Sequence, residues 1–395
     1  MGKIDLPGKE DIAAIAGAIG KQTDILSQYF AKVQTDFSAV QTWKGFKDIC
    51  TAGAARRYFA IGDQFQCKKG TTTITWDLVH IGNNEDGSNY VVLYAHDLLS
   101  VISFCERQAA FYATSAIPAG TYHFNPSLTG MSGQWANDEW KKTMQFTTTV
   151  EIPKGGQIAL SGAIDWNNYY KPWTSGIKIA TYSGPTSSTA LETITPTEGS
   201  DGTDLATLGE INCSQRMSWG SNNWKESDMR QYLNADGAVS SWWTAQTPFS
   251  RIPGAAAKIG FMNDIDADFL DVISKVKLKT DRNTVTEGGG QDTTVDKFFL
   301  PARANLNCGN ADESAPESSV IFDYYTKFRQ DGKTGTNTGT DANKLKSGGN
   351  WYFLRSPNRG GAYGVALVHD GGALGGDNAS STDGLAPACT INYHI

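Results

Sequence analysis

Trp219-Gly220-Ser221-Asn222-Asn223-Trp224-Lys225-Glu226-Ser227-Asp228-Met229-Arg230-Gln231-Tyr232-Leu233-Asn234 is the stretch on which the fold reading turns. Its Ser221-Asn222-Asn223 run carries side-chain oxygens suited to the free amides of a helix start, which predicts an N-cap and a helix over 224–233. Towards the C-terminus, Gly260-Phe261-Met262-Asn263 leads into Asp264 and Asp266, which open a second short helix through Phe269 and Ile273. A Gly/Thr/Asn-rich loop at 333–346 follows, and then strands are expected at 351–354, 363–368 and 385–391. Towards the N-terminus, 117–211 alternates short β phrases with turn-rich polar segments, as a small sandwich does. Period-two alternation at 58–63 and 74–79 reads as strands, and 97–112 reads as a helix. At the start, Ile12, Ile19, Leu26, Val33 and Val40 recur every seven residues, with Ile15 and Tyr29 between them. That seam suits a short oligomeric coiled coil, or one amphipathic helix docked on its own domain.

The chain has 395 residues, enough for two or three domains. Apolar residues make up 39% and aromatics 11%, which excludes a disordered protein. Charged residues are only 19% and glycines number 42, a mix that favours β-structure with many turns. The net charge of −7 is spread along the chain without a basic, aromatic-interleaved patch, so no nucleic-acid partner is expected. No apolar run approaches the roughly 20 residues of a spanning helix, so no membrane insertion is expected. The first residues carry no secretory signal, and Leu6 stands where myristoylation wants Ser or Thr. Cys50, Cys67, Cys105, Cys213, Cys308 and Cys389 stand singly, as reduced buried thiols would in a protein assembled in cytoplasm.

Reactive constellations are missing from the sequence. His80, His96, His123, His369 and His394 occur alone, without HExxH or a cysteine at ligand spacing, so neither metal nor cofactor is expected. There is no GxSxG and no phosphate loop, and Gly288-Gly289-Gly290 reads as a turn. Asp264, Asp266 and Asp268 alternate like calcium ligands, but Lys275 stands where the loop needs glutamate. No catalytic residue is assigned and an enzyme is not expected; paired carboxylates for sugar hydrolysis leave no local motif, so a glycan-active enzyme stays as the second alternative.

Four phrases in order carry a resemblance: the opening stretch, Gly260-Phe261-Met262-Asn263, Trp351-Tyr352-Phe353-Leu354-Arg355-Ser356-Pro357 and Gly384-Leu385-Ala386-Pro387-Ala388. Together they resemble the C-type-lectin-like variable proteins of diversity-generating retroelements, the phage tropism determinants among them, with a departure at Ala386, where the family often has arginine. The resemblance implies an α+β fold: a C-type-lectin-like domain carrying an inserted all-β sandwich-like domain, preceded by an N-terminal helix or short coiled coil. The divisions are 1–45 for oligomerisation and attachment, 46–115 for the first part of the lectin-like domain, 116–212 for the insertion and 213–395 for the main part.

The segment 356–390 is the candidate variable region. From Ser356 to Ile395 there is no Lys, Glu, Gln, Met or Trp, although these make up about a sixth of the chain and about seven were expected. They are the residues that AAC or AAT codons cannot yield when only adenines are randomised; a plain small-residue loop region gives the same list. Asn358, Arg359, Tyr363, His369, Asp370, Asp377, Asn378 and Ser380 form the expected ligand-binding set, since Tyr and Arg give rigid contact area and Ser, Gly and Asn adaptable hydrogen bonds. Trp351, Phe353, Leu354, Val365, Leu367 and Leu385 are expected beneath them. The expected function is that of a phage virion protein, a tail or head fibre or receptor-binding protein. It would be a homotrimer joined to other virion proteins through its N-terminal segment, and would bind a host-surface receptor, protein or glycan. The first alternative is a structural decoration or fibre subunit without a receptor role.

Overall fold

Within the strand Thr72–Asn83, Ile74, Trp76 and Leu78 alternate inward and lie almost fully buried. A register shift between Leu78 and His80 then turns Val79 inward as well, as a bulge does. This strand pairs antiparallel with Gln64–Lys69 on one side and Asn89–Ala95 on the other. Asn89–Ala95 in turn pairs with Ala388–Ile391, so early and late parts of the chain share one sheet. Ile273–Ser274 and Phe298–Phe299 also pair with that late strand. The computed structural model describes residues 42–125, 138–162, 176–182, 188–308, 317–318, 320–326, 346 and 350–394. The heptad seam at 12–40 and nearly all of the 333–346 loop lie outside the described residues.

A second sheet has the order Leu374–Asn378, Gly364–Val368, Tyr352–Pro357, Thr382–Leu385, Ser100–Ser103. Its neighbours run antiparallel except Tyr352–Pro357 beside Thr382–Leu385, which are parallel. Both sheets contribute to one hydrophobic core with Trp76, Trp224, Phe353 and Leu367 inside it. A separate core contains Phe111, Phe124, Phe146, Ile158 and Ile179 and ends at Met217 and Trp219. Two further sheets surround it, one running Ser188–Ile194, Ile177–Tyr182, Gln157–Leu160, Phe111–Ala113, Gly209–Ile211 and the other Thr197–Glu198, Met144–Thr148, Gly120–Phe124, Thr203–Asp204. A two-stranded ribbon of Val276–Asp281 and Gln291–Asp296 completes the set.

The structure corrects the expected fold class. Among the described residues strand outweighs helix, 38% to 18%, and it is divided among several small sheets, so the molecule is mainly β rather than an α+β lectin-like domain. The longest described helix is Trp43–Thr51, capped by the Thr42 hydroxyl that accepts the Gly45 amide at 3.1 Å. Three local readings shift with it. The helix expected at 97–112 is absent; Ser100–Ser103 and Phe111–Ala113 are strands, because Ser100–Ser103 finds a ladder partner in the distant Thr382–Leu385. The strand expected at 58–63 lies later, at Gln64–Lys69, after a short helix Ala55–Tyr58, while Phe59 packs on Phe46 with ring centroids 4.2 Å apart. The strand Leu374–Asn378 was not foreseen, since its Gly375-Gly376 pair carries no hydrophobic alternation.

The opening stretch forms two short helical pieces rather than one. Asn223 caps a 3-10 turn, Trp224–Glu226, by accepting the Lys225 amide at 2.8 Å. Ser227 then caps Asp228–Leu233 by accepting the Arg230 amide at 3.1 Å. One buried carboxylate, Asp296, ties both pieces down: it accepts the Trp224 indole N–H at 3.1 Å and Arg230 Nε at 2.7 Å. The second acidic start also holds, as the helix Ala267–Val272, where Asp266 accepts the Lys68 amide at 2.7 Å.

Candidate ligand-binding face

The helix Ser214–Trp219 ends at Gly220, whose φ of 81° is one that a side chain rarely adopts. A Cβ there would also sit 2.4 Å from the Cys105 carbonyl oxygen and 3.2 Å from the Ser380 amide nitrogen. Backbone therefore approaches backbone closely at this point. The shelf from Gln215 to Asn223 carries the C-terminal sheet's loops on such contacts.

Asn222 is fully buried, and its side-chain amide donates to the carbonyls of Asn358 at 3.1 Å, Gly361 at 2.7 Å and Gly364 at 2.9 Å. Gln215 Oε1 accepts the Ala362 amide at 2.6 Å, and the Asn222 amide donates to the Ala362 carbonyl at 3.2 Å. From the other side, Thr284 donates both its amide and its hydroxyl to the Arg359 carbonyl, at 2.9 and 3.0 Å. Asn358 closes the loop by donating its amide to Gly364 at 2.8 Å. The neighbouring turn is held in the same way: Ser381 donates to the Asn378 carbonyl, Ser380 to that of Trp219 and Ala379 to that of Tyr363, at 3.0, 2.8 and 2.9 Å. These bonds engage main-chain groups of the loop and turn and do not read their side chains, and one exposed side-chain bond adds to them, Asn358 Oδ1 accepting the Gly360 amide at 3.1 Å.

The clamp is itself braced. Asn283 donates to Asn222 Oδ1 at 3.1 Å and to Glu287 at 2.9 Å, while Glu287 also accepts Asn223 at 2.7 Å and Arg216 at 2.6 Å. An amide whose own oxygen is engaged cannot flip or swing, so Asn222 is pre-set towards the loop. Neither Gln215 nor Thr284 was singled out from sequence. Asn222 stood in a phrase of capping residues, but a cap and a clamp have the same composition.

The eight expected contact residues do not form one patch. Asn358, Arg359, Tyr363, Asp377, Asn378 and Ser380 gather at the loop end of the strand Gly364–Val368, where Gly364 pairs with Asn378 and Val365 with Asp377. His369 and Asp370 lie past its other end, about 16 Å away at ~3.3 Å per residue. Asn358 and Asp370 are exposed, and Asp377, Asn378 and Ser380 are partly so. Asp377 accepts the Asn378 amide at 2.7 Å.

Two candidates are corrected from displayed anchors to packing groups. The Tyr363 ring lies 4.9 Å from that of Trp219 and packs against the second core. Arg359 turns inward, its side chain 11% exposed and its Nε 3.9 Å from the buried Asp281 carboxylate. Conversely, Trp351 is 37% exposed, not part of the scaffold, while Phe353, Leu354, Val365, Leu367 and Leu385 are wholly buried. The Trp351 ring rests on His369 at 4.2 Å, and Gly375 leaves room for that imidazole, since a Cβ there would meet Nε2 at 1.9 Å.

One electrostatic feature lies on this sheet. Burial first, and then the charge and hydrogen bond of Asp377, push the Asp383 carboxyl up to about 6. Two carboxylates in one place favour holding a proton between them. Elsewhere, all six cysteines are buried and none is in a disulfide, and burial raises Cys50 to about 12 and Cys67 to about 11. Among the described residues no group of three or more His, Cys, Asp or Glu is placed to hold a metal ion, and no helix is long and apolar enough to cross a membrane.

Comparison with curated proteins and with solved structures gives no match. Residues 204–393 match a family model described as "Domain of unknown function (DUF6273)", a span that takes in the Gln215–Asn223 shelf and the whole clamped face.

Proposed function

We propose that the chain is a binding protein of a phage particle, and that the loop 358–363 with the turn 378–381 contacts a host-surface ligand. The observation that carries this reading is the main-chain clamp of Asn222, Gln215 and Thr284, which fixes the loop's path without reading its side chains. A surface built in this way keeps its shape while its side chains change, the property a ligand face under selection needs. The narrowed residue repertoire from Ser356 onward and the resemblance of the four phrases to phage variable proteins support the same assignment. Exposed Asn358 and half-exposed Asn378 and Ser380 are the contacts at this end, and Arg359 and Tyr363 stiffen it from below.

The test is adsorption of the purified chain to host cells. Replacing Asn358, Asn378 and Ser380 together with alanine should leave thermal unfolding nearly unchanged and reduce adsorption at least tenfold. Full adsorption by a folded triple variant would remove this face from the contact.

A further inference from the structure

We infer that the cleft between the end of the helix Asp228–Leu233 and the loop 235–242 is a saccharide site that takes one neutral hexopyranose ring. The cleft has a volume of about 340 Å³, at the small end of the ~300–1,000 Å³ typical of ligand pockets. Trp242 forms one wall, with Arg230, Gln231, Asp236 and Ser241 around it. It shares no residue with the clamped face.

The cleft is held rigid by bonds that leave it open. Trp242 donates its indole N–H to the Lys258 carbonyl at 2.8 Å, which sets the ring plane, and Tyr232 backs it at 5.6 Å. The loop is pinned along its length: Gly260 donates to the Gly237 carbonyl at 2.9 Å, Met262 to that of Ala235 at 2.8 Å and Ser240 to that of Ala256 at 2.9 Å. Asn263 donates its side-chain amide to the Asp236 carbonyl at 2.7 Å. A Cβ on Gly237 would come within 2.8 Å of Ser241 Oγ and 3.2 Å of Trp242 Cβ, so a glycine keeps the floor clear. Val239 stands 48% exposed at the tip of the same loop, an apolar group set in water beside the opening.

The lining matches the two-sided chemistry of a pyranose. A sugar ring offers an apolar C–H face and a rim of hydroxyls, each both donor and acceptor. An aromatic wall takes the face. Exposed Asp236 supplies a carboxylate acceptor, and Arg230 supplies donors from a guanidinium already oriented by Asp296 at 2.7 Å and the Lys225 carbonyl at 3.3 Å. Gln231 is likewise fixed, its Oε1 accepting the Thr244 amide at 2.9 Å. Because these groups are ordered before any ligand arrives, little side-chain freedom is lost on binding.

The experiment is saturation-transfer NMR on the full chain with methyl glucoside, methyl galactoside, methyl mannoside and N-acetylglucosamine, each at millimolar concentration. At least one probe should receive saturation. Trp242→Ala should abolish the transfer, and Asp236→Asn, an exposed substitution that spares the fold, should weaken binding about tenfold. The alanine triple at Asn358, Asn378 and Ser380 should leave it unchanged. No transfer to any probe, transfer that survives both cleft substitutions, or transfer lost in the face triple would overturn the assignment.

Discussion

Asn222 and Tyr363 show how single residues divide the work of this face. Removing the Asn222 amide strands the buried Gly361 carbonyl, while the carbonyls of Asn358 and Gly364 keep their main-chain donors, Gly361 and Asn358, and an unmade buried hydrogen bond is costly. Asn222→Ala should therefore destabilise by about 1–3 kcal/mol. It should also speed amide exchange through 358–364, which hydrogen-exchange mass spectrometry reads directly. For the aromatics the expectation from sequence is inverted. Tyr363→Ala takes a ring off Trp219 and should cost about 2 kcal/mol, while exposed Trp351→Ala should stay within about 1 kcal/mol. Chemical denaturation of the two variants decides the order. A residue's burial depends on what lies across from it: Trp351 stands just before the strand Tyr352–Pro357 facing water, and Tyr363 ends a loop facing a second core, which spacing along the chain does not reveal.

At the scale of elements, some strands with β-branched or aromatic alternation were legible, though not at 58–63, and so were the starts of two short helical segments. Thr72–Asn83 and Gly364–Val368 lie where their apolar residues put them, and Asp266 and Asn223 mark helix starts. What stayed hidden depends on partners far along the chain: Ser100–Ser103 is a strand because Thr382–Leu385 lies beside it, and Leu374–Asn378 because Gly364–Val368 does. The clamp was hidden for the same reason, since Asn222 meets its carbonyls only after the sheet has formed. The Asp377–Asp383 pair adds a pH dependence to this element. With Asp383 raised to about 6, the folded state holds a proton that the unfolded state has released between pH ~4 and ~6. That contribution is full below the unfolded value and is lost as pH rises through about 6. Asp383→Asn should flatten the stability profile across this window in urea titrations. An unchanged slope would show that the two carboxyls do not share a proton.

At the scale of the molecule, two cores meet at Trp219. Its ring belongs to the second core, and its carbonyl holds the Ser380 amide of the face. Strain or loosening in the second core thus reaches the face through Trp219 and through Tyr363, whose ring packs on it and whose carbonyl holds the Ala379 amide. We propose in addition that the heptad seam at 12–40 assembles three chains, so that deleting it should lower a trimer mass to a monomer in light scattering; a full chain that is monomeric would refute this. Low charge and many glycines pointed to β-structure, but the α+β class expected from the resemblance did not hold, and the division into many small sheets was hidden because the late strand Ala388–Ile391 joins pieces from three separate regions. The central claim is that the face owes its shape to main-chain bonds and its binding to side chains. The most direct test is a saturation library at Asn358, Gly360, Ser380 and Ser381, with Asn222 and Gln215 as comparison positions, sorted first for protease resistance and then for adsorption to host cells. The account predicts that most substitutions at the four face positions pass the first sort and few pass the second, while Asn222 and Gln215 fail the first. Equal tolerance at face and clamp positions in the first sort, or adsorption indifferent to the face, would contradict it.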